Sequence, residues 1–212
     1  MKTLVIIPSR LSASRLPGKP LLKINGLSII SHVYKKAQEA NIGEVFVAAE
    51  DQEIIEDVKK NGGEAILTNN NHKTGTDRIY EAFVKLGRTD IDLIMNLQGD
   101  EPLMNTEDIQ KLNKHMIKTK RDLGTLAAKI KNKKVFENHD IVKVITEESL
   151  DDTKFPRAIN FTHYDLYSII FFIAIKSSLV STPIVDDLAS PTLTLILLSN
   201  ALNCSNLFSI SF

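Results

Sequence analysis

Apolar positions come in short packets along the first two thirds of the chain, and the spacing within each packet separates strand from helix. Leu4-Val5-Ile6-Ile7 is an unbroken apolar run, so residues 2–7 read as a strand buried on both faces. Ile29, Ile30, Val33, Ala37 and Ala40 then recur at helical spacing, which predicts a helix over 28–40 with Ser28 as its cap. Val45-Phe46-Val47-Ala48 marks a second strand within Glu44–Ala49. Ile54, Ile55 and Val58 form the inward face of a helix capped by Asp51 and closing near Gly62. A short strand, Glu64–Thr68, a polar loop, Asn69–Lys73, and a helix from about Thr76 to Leu86, ended by Gly87, come next. Asp92–Leu97 is the fourth strand. Thr106 caps a helix bearing Ile109, Leu112 and Met116, and Leu123–Ile130 and Ile141–Ile145 read as two more strands.

Strand alternating with helix implies right-handed parallel crossovers. The expected fold is α/β: a doubly wound, mostly parallel sheet with helices on both faces. The pattern holds to residue 164 and then changes. The 48 residues from 165 to 212 hold four of the chain's 52 charged residues, Asp165, Lys176, Asp186 and Asp187, and mix Ser, Leu, Ile and Thr without a period. The chain therefore divides into an α/β domain, 1–164, and an atypical Ser/Leu/Ile-rich tail, 165–212. The run Ile169–Ile175 stops at Lys176, short of the ~18–20 apolar residues a membrane span needs. It reads as a buried strand or as an aggregation-prone segment.

Composition narrows the function classes. Hydrophobic content of 43% and charged content of 25% are those of a soluble globular protein. The formal net charge is zero, so nothing points to nucleic-acid binding by bulk charge, and any anion site must be local. One cysteine, Cys204, excludes an intramolecular disulfide and a cysteine zinc cluster. The first residues open into a strand pattern with no leader-like segment, so a cytoplasmic location is expected.

The candidate chemistry gathers at strand ends. The loop from Pro8 to Pro20 follows the first strand, where open α/β sheets bind ligands. It carries Arg10, Arg15 and Lys19 and no carboxylate, and its small residues Ser9, Ser12, Ala13, Ser14 and Gly18 let backbone N–H groups approach a ligand. Arginine forks and a compact lysine charge together describe a polyphosphate clamp. The G-x-x-x-x-G-K-[ST] spacing of a Walker A loop is absent. Gln98-Gly99-Asp100-Glu101-Pro102 ends the fourth strand, where Asp100 reads alone as an ordinary Asp turn or as a carboxylate for magnesium beside a triphosphate. Lys73-Thr74-Gly75-Thr76-Asp77-Arg78 opens a helix, with Thr74 or Thr76 as cap and N–H groups suited to an anion or polar acceptor.

Pro8-x-Arg10-x4-Arg15-Leu-Pro-Gly-Lys19-Pro-Leu21 resembles the signature loop of the nucleotidyltransferases that make CMP-sugars, above all the 3-deoxy-manno-octulosonate cytidylyltransferases (CMP-Kdo synthetases). Gln98-Gly-Asp100-Glu-Pro resembles their second signature, and Thr74-Gly75-Thr76-Asp77-Arg78 a third, with His72 also at a matching position. Asn138-His-Asp-Ile-Val-Lys-Val144 and Phe155-Pro-Arg157-Ala resemble two further segments, although Pro156 stands where the family has Ser. The resemblance implies a Rossmann-like nucleotide-diphospho-sugar transferase fold and CMP transfer from CTP to Kdo for lipopolysaccharide synthesis, with Mg2+ as cofactor. It assigns Arg10, Arg15, Lys19 and Asp100 to catalysis. It assigns Pro8, Ser9, Arg10, Ser14, Lys19, Thr74, Gly75, Arg78 and Gln98 to the nucleotide. Gln98 and Arg157 go to the sugar acid, and Asp100 to the metal. A sialic-acid cytidylyltransferase is the alternative within the class, although that branch reads Gly-Gly-Ser-Lys-Gly after its Arg. An inactive nucleotide-binding remnant is the alternative outside it. The family is homodimeric, but the resemblance stops near His163, and the dimer segment and a late metal-binding Asp have no counterpart in the sequence. The change in composition there fits a frameshifted 3′ reading or a degenerate tail.

Overall fold

The computed structural model describes residues 1–12, 16–130, 132–148, 155–163, 194–198 and 207–211. Strand β1 (Thr3–Ser9) is the axis of the molecule. It pairs in parallel with β4 (Gly43–Ala49) on one side and with β6 (Leu93–Asn96) on the other. β5 (Ala65–Leu67) extends the sheet beyond β4. β10 (Thr194–Leu198) lies between β6 and β7 (Leu123–Ala128), parallel to both, and β11 (Leu207–Ser211) runs antiparallel on the outer side of β7. Every pairing in this sheet except β7–β11 is parallel, as the strand–helix alternation predicts. The segment 169–175 lies outside the described residues.

A sheet covered on both faces needs two cores. One is formed by Val5 and Ile7 of β1 with Val45 and Val47 of β4, against Ile30 and Val33 of α1 (Ile29–Ala40), Ile54 and Val58 of α2 (Gln52–Lys60), and Ile109 and Leu112 of α4 (Thr106–Thr119). The other places Leu4, Ile6 and Ile94 against Ile79 and Ala82 of α3 (Gly75–Leu86). Successive β1 residues thus feed opposite faces, which is the strand period of two. Truncating Ile7 or Leu112, both fully buried, to Ala should cost about 2–5 kcal/mol.

The helix starts differ in detail from the sequence expectation. Ser28 caps α1 as expected, accepting from the Ser31 amide at 3.2 Å. Asp51 is at the N-cap of α2, but its carboxylate accepts the Leu11 amide at 2.7 Å instead of a helix N–H. α4 is capped by Asn105 and not by Thr106, because Asn105 Oδ1 reaches the Glu107 amide at 2.9 Å. Of the two candidates for α3, Thr74 is the cap and forms a reciprocal capping box with Asp77.

The elements not read from the sequence include the hairpin β2 (Lys23–Ile24) and β3 (Leu27–Ser28), the short helix α5 (Lys133–Glu137), strand β9 (Ala158–Thr162) and the two tail strands β10 and β11. β9 pairs antiparallel with β8 (Lys143–Thr146) as a separate two-stranded sheet. Just before β9, Phe155 stacks on His115 of α4, with ring centroids 3.7 Å apart.

Candidate functional site

Chain order reverses across β1: the crossover after it leads to β4, and β6 returns on the other side. Crevices open at the carboxyl ends of strands at such a switch point. Here the crevice is a cavity of about 310 Å³, lined by Pro8, Ser9, Arg10, Lys19 and Pro20 from the loop after β1, by residues 72–75 and Arg78 at the start of α3, and by Gln98, Gly99 and Asp100 after β6. Three stretches far apart in sequence meet because each leaves the same end of the sheet.

The loop after β1 is held at both ends. Gly18 adopts φ 72°, a left-handed conformation that favours glycine, and its amide closes on the Leu11 carbonyl at 3.0 Å. Lys19-Pro20-Leu21 continues as one turn of 3-10 helix, with Pro20 buried. This turn delivers Lys19 Nζ to within 2.7 Å of Asp100 Oδ2, an ion pair between partly exposed side chains. Gly99 lets the β6 turn approach: a Cβ there would lie 2.9 Å from the Pro8 carbonyl oxygen and 3.1 Å from Ile30 Cδ1.

The α3 side of the cavity is built from buried charge. Arg78 is 3% exposed, and its guanidinium donates to Thr68 Oγ1 at 2.6 Å and pairs with the Glu50 carboxylate. His72 Nε2 contacts the Glu81 carboxylate, which also accepts the Asn69 amide at 2.9 Å and Lys85 Nζ at 2.8 Å. Burial pushes the Glu81 carboxyl up, but its bonds to Lys85, His72 and the Asn69 amide outweigh that and hold it down at about 2. A carboxylate ionised at neutral pH is acceptor only, so the ring nitrogen of His72 facing it carries a proton. Ser9 lines the same cavity, and its buried Oγ has no partner among the described residues.

Pro8, Ser9, Arg10, Lys19, Thr74, Gly75, Arg78, Gln98 and Asp100 are thus brought to one cavity. Ser14 and Arg15 lie outside the described residues. Arg157 is not among the cavity residues: it is 66% exposed before β9 and pairs with Glu147 at 3.2 Å. Glu50 was not singled out from the sequence, since a Glu after a strand reads as solvated. Its signal is indirect: a buried Arg needs a carboxylate.

No group of three or more His, Cys, Asp or Glu that could hold a metal occurs among the described residues. Asp100 is the carboxylate that lines the cavity, and one carboxylate fits a magnesium ion that takes its other ligands from phosphate oxygens and water. No helix among the described residues is long and apolar enough to cross a membrane.

A family model described as cytidylyltransferase matches residues 4–171. A 3-deoxy-manno-octulosonate cytidylyltransferase of Afipia carboxidovorans is 44% identical over 161 residues, 76% of this chain and 64% of that protein. One of Nitrobacter winogradskyi is 44% identical over 147 residues, 68% of this chain and 57% of that protein. The solved structure of a CMP:2-keto-3-deoxy-manno-octonic acid synthetase complexed with CTP superposes with a TM-score of 0.66 at 34% identity, covering 78% of this chain and 66% of that one. The chain therefore spans less than two thirds of the length of these relatives.

Proposed function

The chain belongs to the cytidylyltransferase family, and from that premise we propose that it transfers CMP from CTP to 3-deoxy-D-manno-octulosonate (Kdo) and releases pyrophosphate. One observation carries the reading: the three stretches that resemble the family's signatures converge on a single cavity at the switch point of the sheet. The relatives' names and the CTP complex of the similar structure support it.

In this reading the anomeric hydroxyl of Kdo attacks the α-phosphorus in line. An oxygen–phosphorus bond forms, the bond from the α-phosphorus to the bridging oxygen breaks, the hydroxyl proton leaves and pyrophosphate departs. The protein contributes position and charge. Arg10 and Lys19, with Arg15 from the same loop, neutralise the β- and γ-phosphates. Pro8, Ser9, Thr74, Gly75 and Arg78 receive the nucleoside, and the orphan Ser9 hydroxyl gains a partner when the cavity fills. Gln98 lies between nucleotide and sugar acid. Asp100 would hold a magnesium ion, which when bound would screen phosphate charge and lower the pKa of the attacking hydroxyl. Lys19 must exchange Asp100 for phosphate oxygens as the ligands enter. We place the reaction in the cytoplasm, in the service of lipopolysaccharide synthesis.

A nucleotide-binding remnant is the second reading, and the exposed position of Arg157 favours it. Pyrophosphate release by the purified chain, with CTP, magnesium and Kdo each omitted in turn, separates the two. Release that needs all three supports the transferase. Absence of release with CTP binding retained supports the remnant, and absence of both refutes the nucleotide site.

A further inference from the structure

Arg78 lines the same cavity as the Lys19–Asp100 pair, and it differs from the other cavity cations in burial. It is 3% exposed, whereas Arg10 is exposed and Lys19 partly so. A buried guanidinium must be neutralised. Glu50 does this from the end of β4, with a side chain only 11% exposed. Thr68 Oγ1 at 2.6 Å and the Asn69 carbonyl at 3.3 Å fix the other edge of the fork. These three partners use part of the five N–H donors of arginine. What Arg78 offers a ligand is then direction and not net charge, which suits a base or ribose better than a phosphate.

Glu50 also reaches the loop after β1. Its second oxygen accepts the Ser12 hydroxyl at 3.2 Å, and the next residue, Asp51, accepts the Leu11 amide at 2.7 Å. One carboxylate thus joins the loop after β1 to the first turn of α3.

We propose that Glu50 is a positioning residue for the nucleoside end of the nucleotide, acting through Arg78, which it holds as a neutralised, directional donor in the cavity wall. The inference rests on the nucleotidyltransferase reading of the cavity and deepens it. Phosphate binding then depends on Arg10 and Lys19, and nucleoside binding on the Glu50–Arg78 pair.

The test is titration of the full chain with CTP and, separately, with inorganic tripolyphosphate, for wild type, Glu50→Gln, Arg78→Met and the double variant. Glu50→Gln should weaken CTP about tenfold, the loss of one charge-assisted anchor. Tripolyphosphate should bind Glu50→Gln as tightly as wild type or more tightly, because an uncompensated Arg78 attracts anions. The double variant removes both buried charges, so it does not depend on the fold tolerating an unpaired arginine. It should bind CTP no worse than Arg78→Met alone, the mark of one residue acting through the other. Equal weakening of both ligands by Glu50→Gln, or additive losses in the double variant, would overturn the assignment and leave the nucleotide site standing. A folded wild-type chain that binds neither ligand would overturn both.

Discussion

The two antiparallel strands β8 and β9 and the parallel strands around β1 lie in one chain but are held in different ways. β1 has β4 and β6 on its flanks and a core on each face, so the loops leaving it start from fixed points. Among the described residues β9 pairs with β8 alone, and Ile159 and Phe161 on it are 60% and 40% exposed. The charged residues follow suit. Around the cavity ion pairs form across elements, Lys19 with Asp100 and Arg78 with Glu50. Before β9, Arg157 meets Glu147 in the open. The cavity is thus built within local strand–helix units, while Arg157 stands before a small two-stranded sheet whose β9 residues are mostly exposed among the described residues.

Substitutions sharpen the contrast. The largest effect belongs to Lys19→Ala, which should lower turnover at least a hundredfold while weakening CTP binding by less, because its charge meets the phosphates most as the pyrophosphate leaves. Steady-state kinetics and calorimetry on the same preparation check this, and unchanged turnover would break the clamp. Asp100→Asn should abolish the response of CTP affinity to magnesium. Without magnesium it should bind CTP several-fold more tightly than wild type, since Lys19 is released. Equal metal-free affinities would argue against that exchange.

Gly99→Ala comes next. Its Cβ would meet the Pro8 carbonyl at 2.9 Å, so the Gln98–Asp100 turn must shift. CTP affinity should fall about tenfold and stability by about 1–3 kcal/mol, read by denaturant titration. Glu81→Gln tests the α3 wall. Its folded carboxyl stands at about 2, below the ordinary 4.5, so its stabilising contribution is complete above pH 4.5 and is lost as pH falls toward 2. The variant should be about 1–2 kcal/mol less stable at pH 7, and the gap should narrow by pH 3.5. The smallest effect is expected for Arg157→Ala: stability within about 0.5 kcal/mol, as for exposed ion pairs, and CTP affinity unchanged. A loss of CTP affinity there would erase the distinction between the two regions.

As far as β8 the apolar packets gave the main strands and helices to within a residue or two at most ends, because a doubly wound sheet writes its burial into both strand and helix periods; β10 and β11 lie where the pattern has no period and were not read. Local polar choices were harder to read. Asp51 looks like a helix cap in sequence, yet the nearby Leu11 amide takes its carboxylate. Asn105 and Thr106 are both able caps, and only side-chain reach decides between them. The β2–β3 hairpin did carry a signal, Asn25-Gly26 between short apolar-bearing stretches, which is a common two-residue turn. The cavity residues were readable where charge and glycine cluster after a strand, as at Arg10, Lys19 and Asp100. Glu50 was not, because its partner lies 28 positions away on another element. Arg157 shows the converse: a motif-like segment identifies a residue without saying what it faces.

Calorimetric titration of CTP into the full chain with magnesium, for wild type and Lys19→Ala, tests the nucleotide cavity most directly. One CTP site per chain is expected in wild type, weakened when Lys19 is removed. A folded wild-type chain that binds no CTP, or a Lys19→Ala variant that binds it with unchanged affinity and unchanged heat, would contradict it.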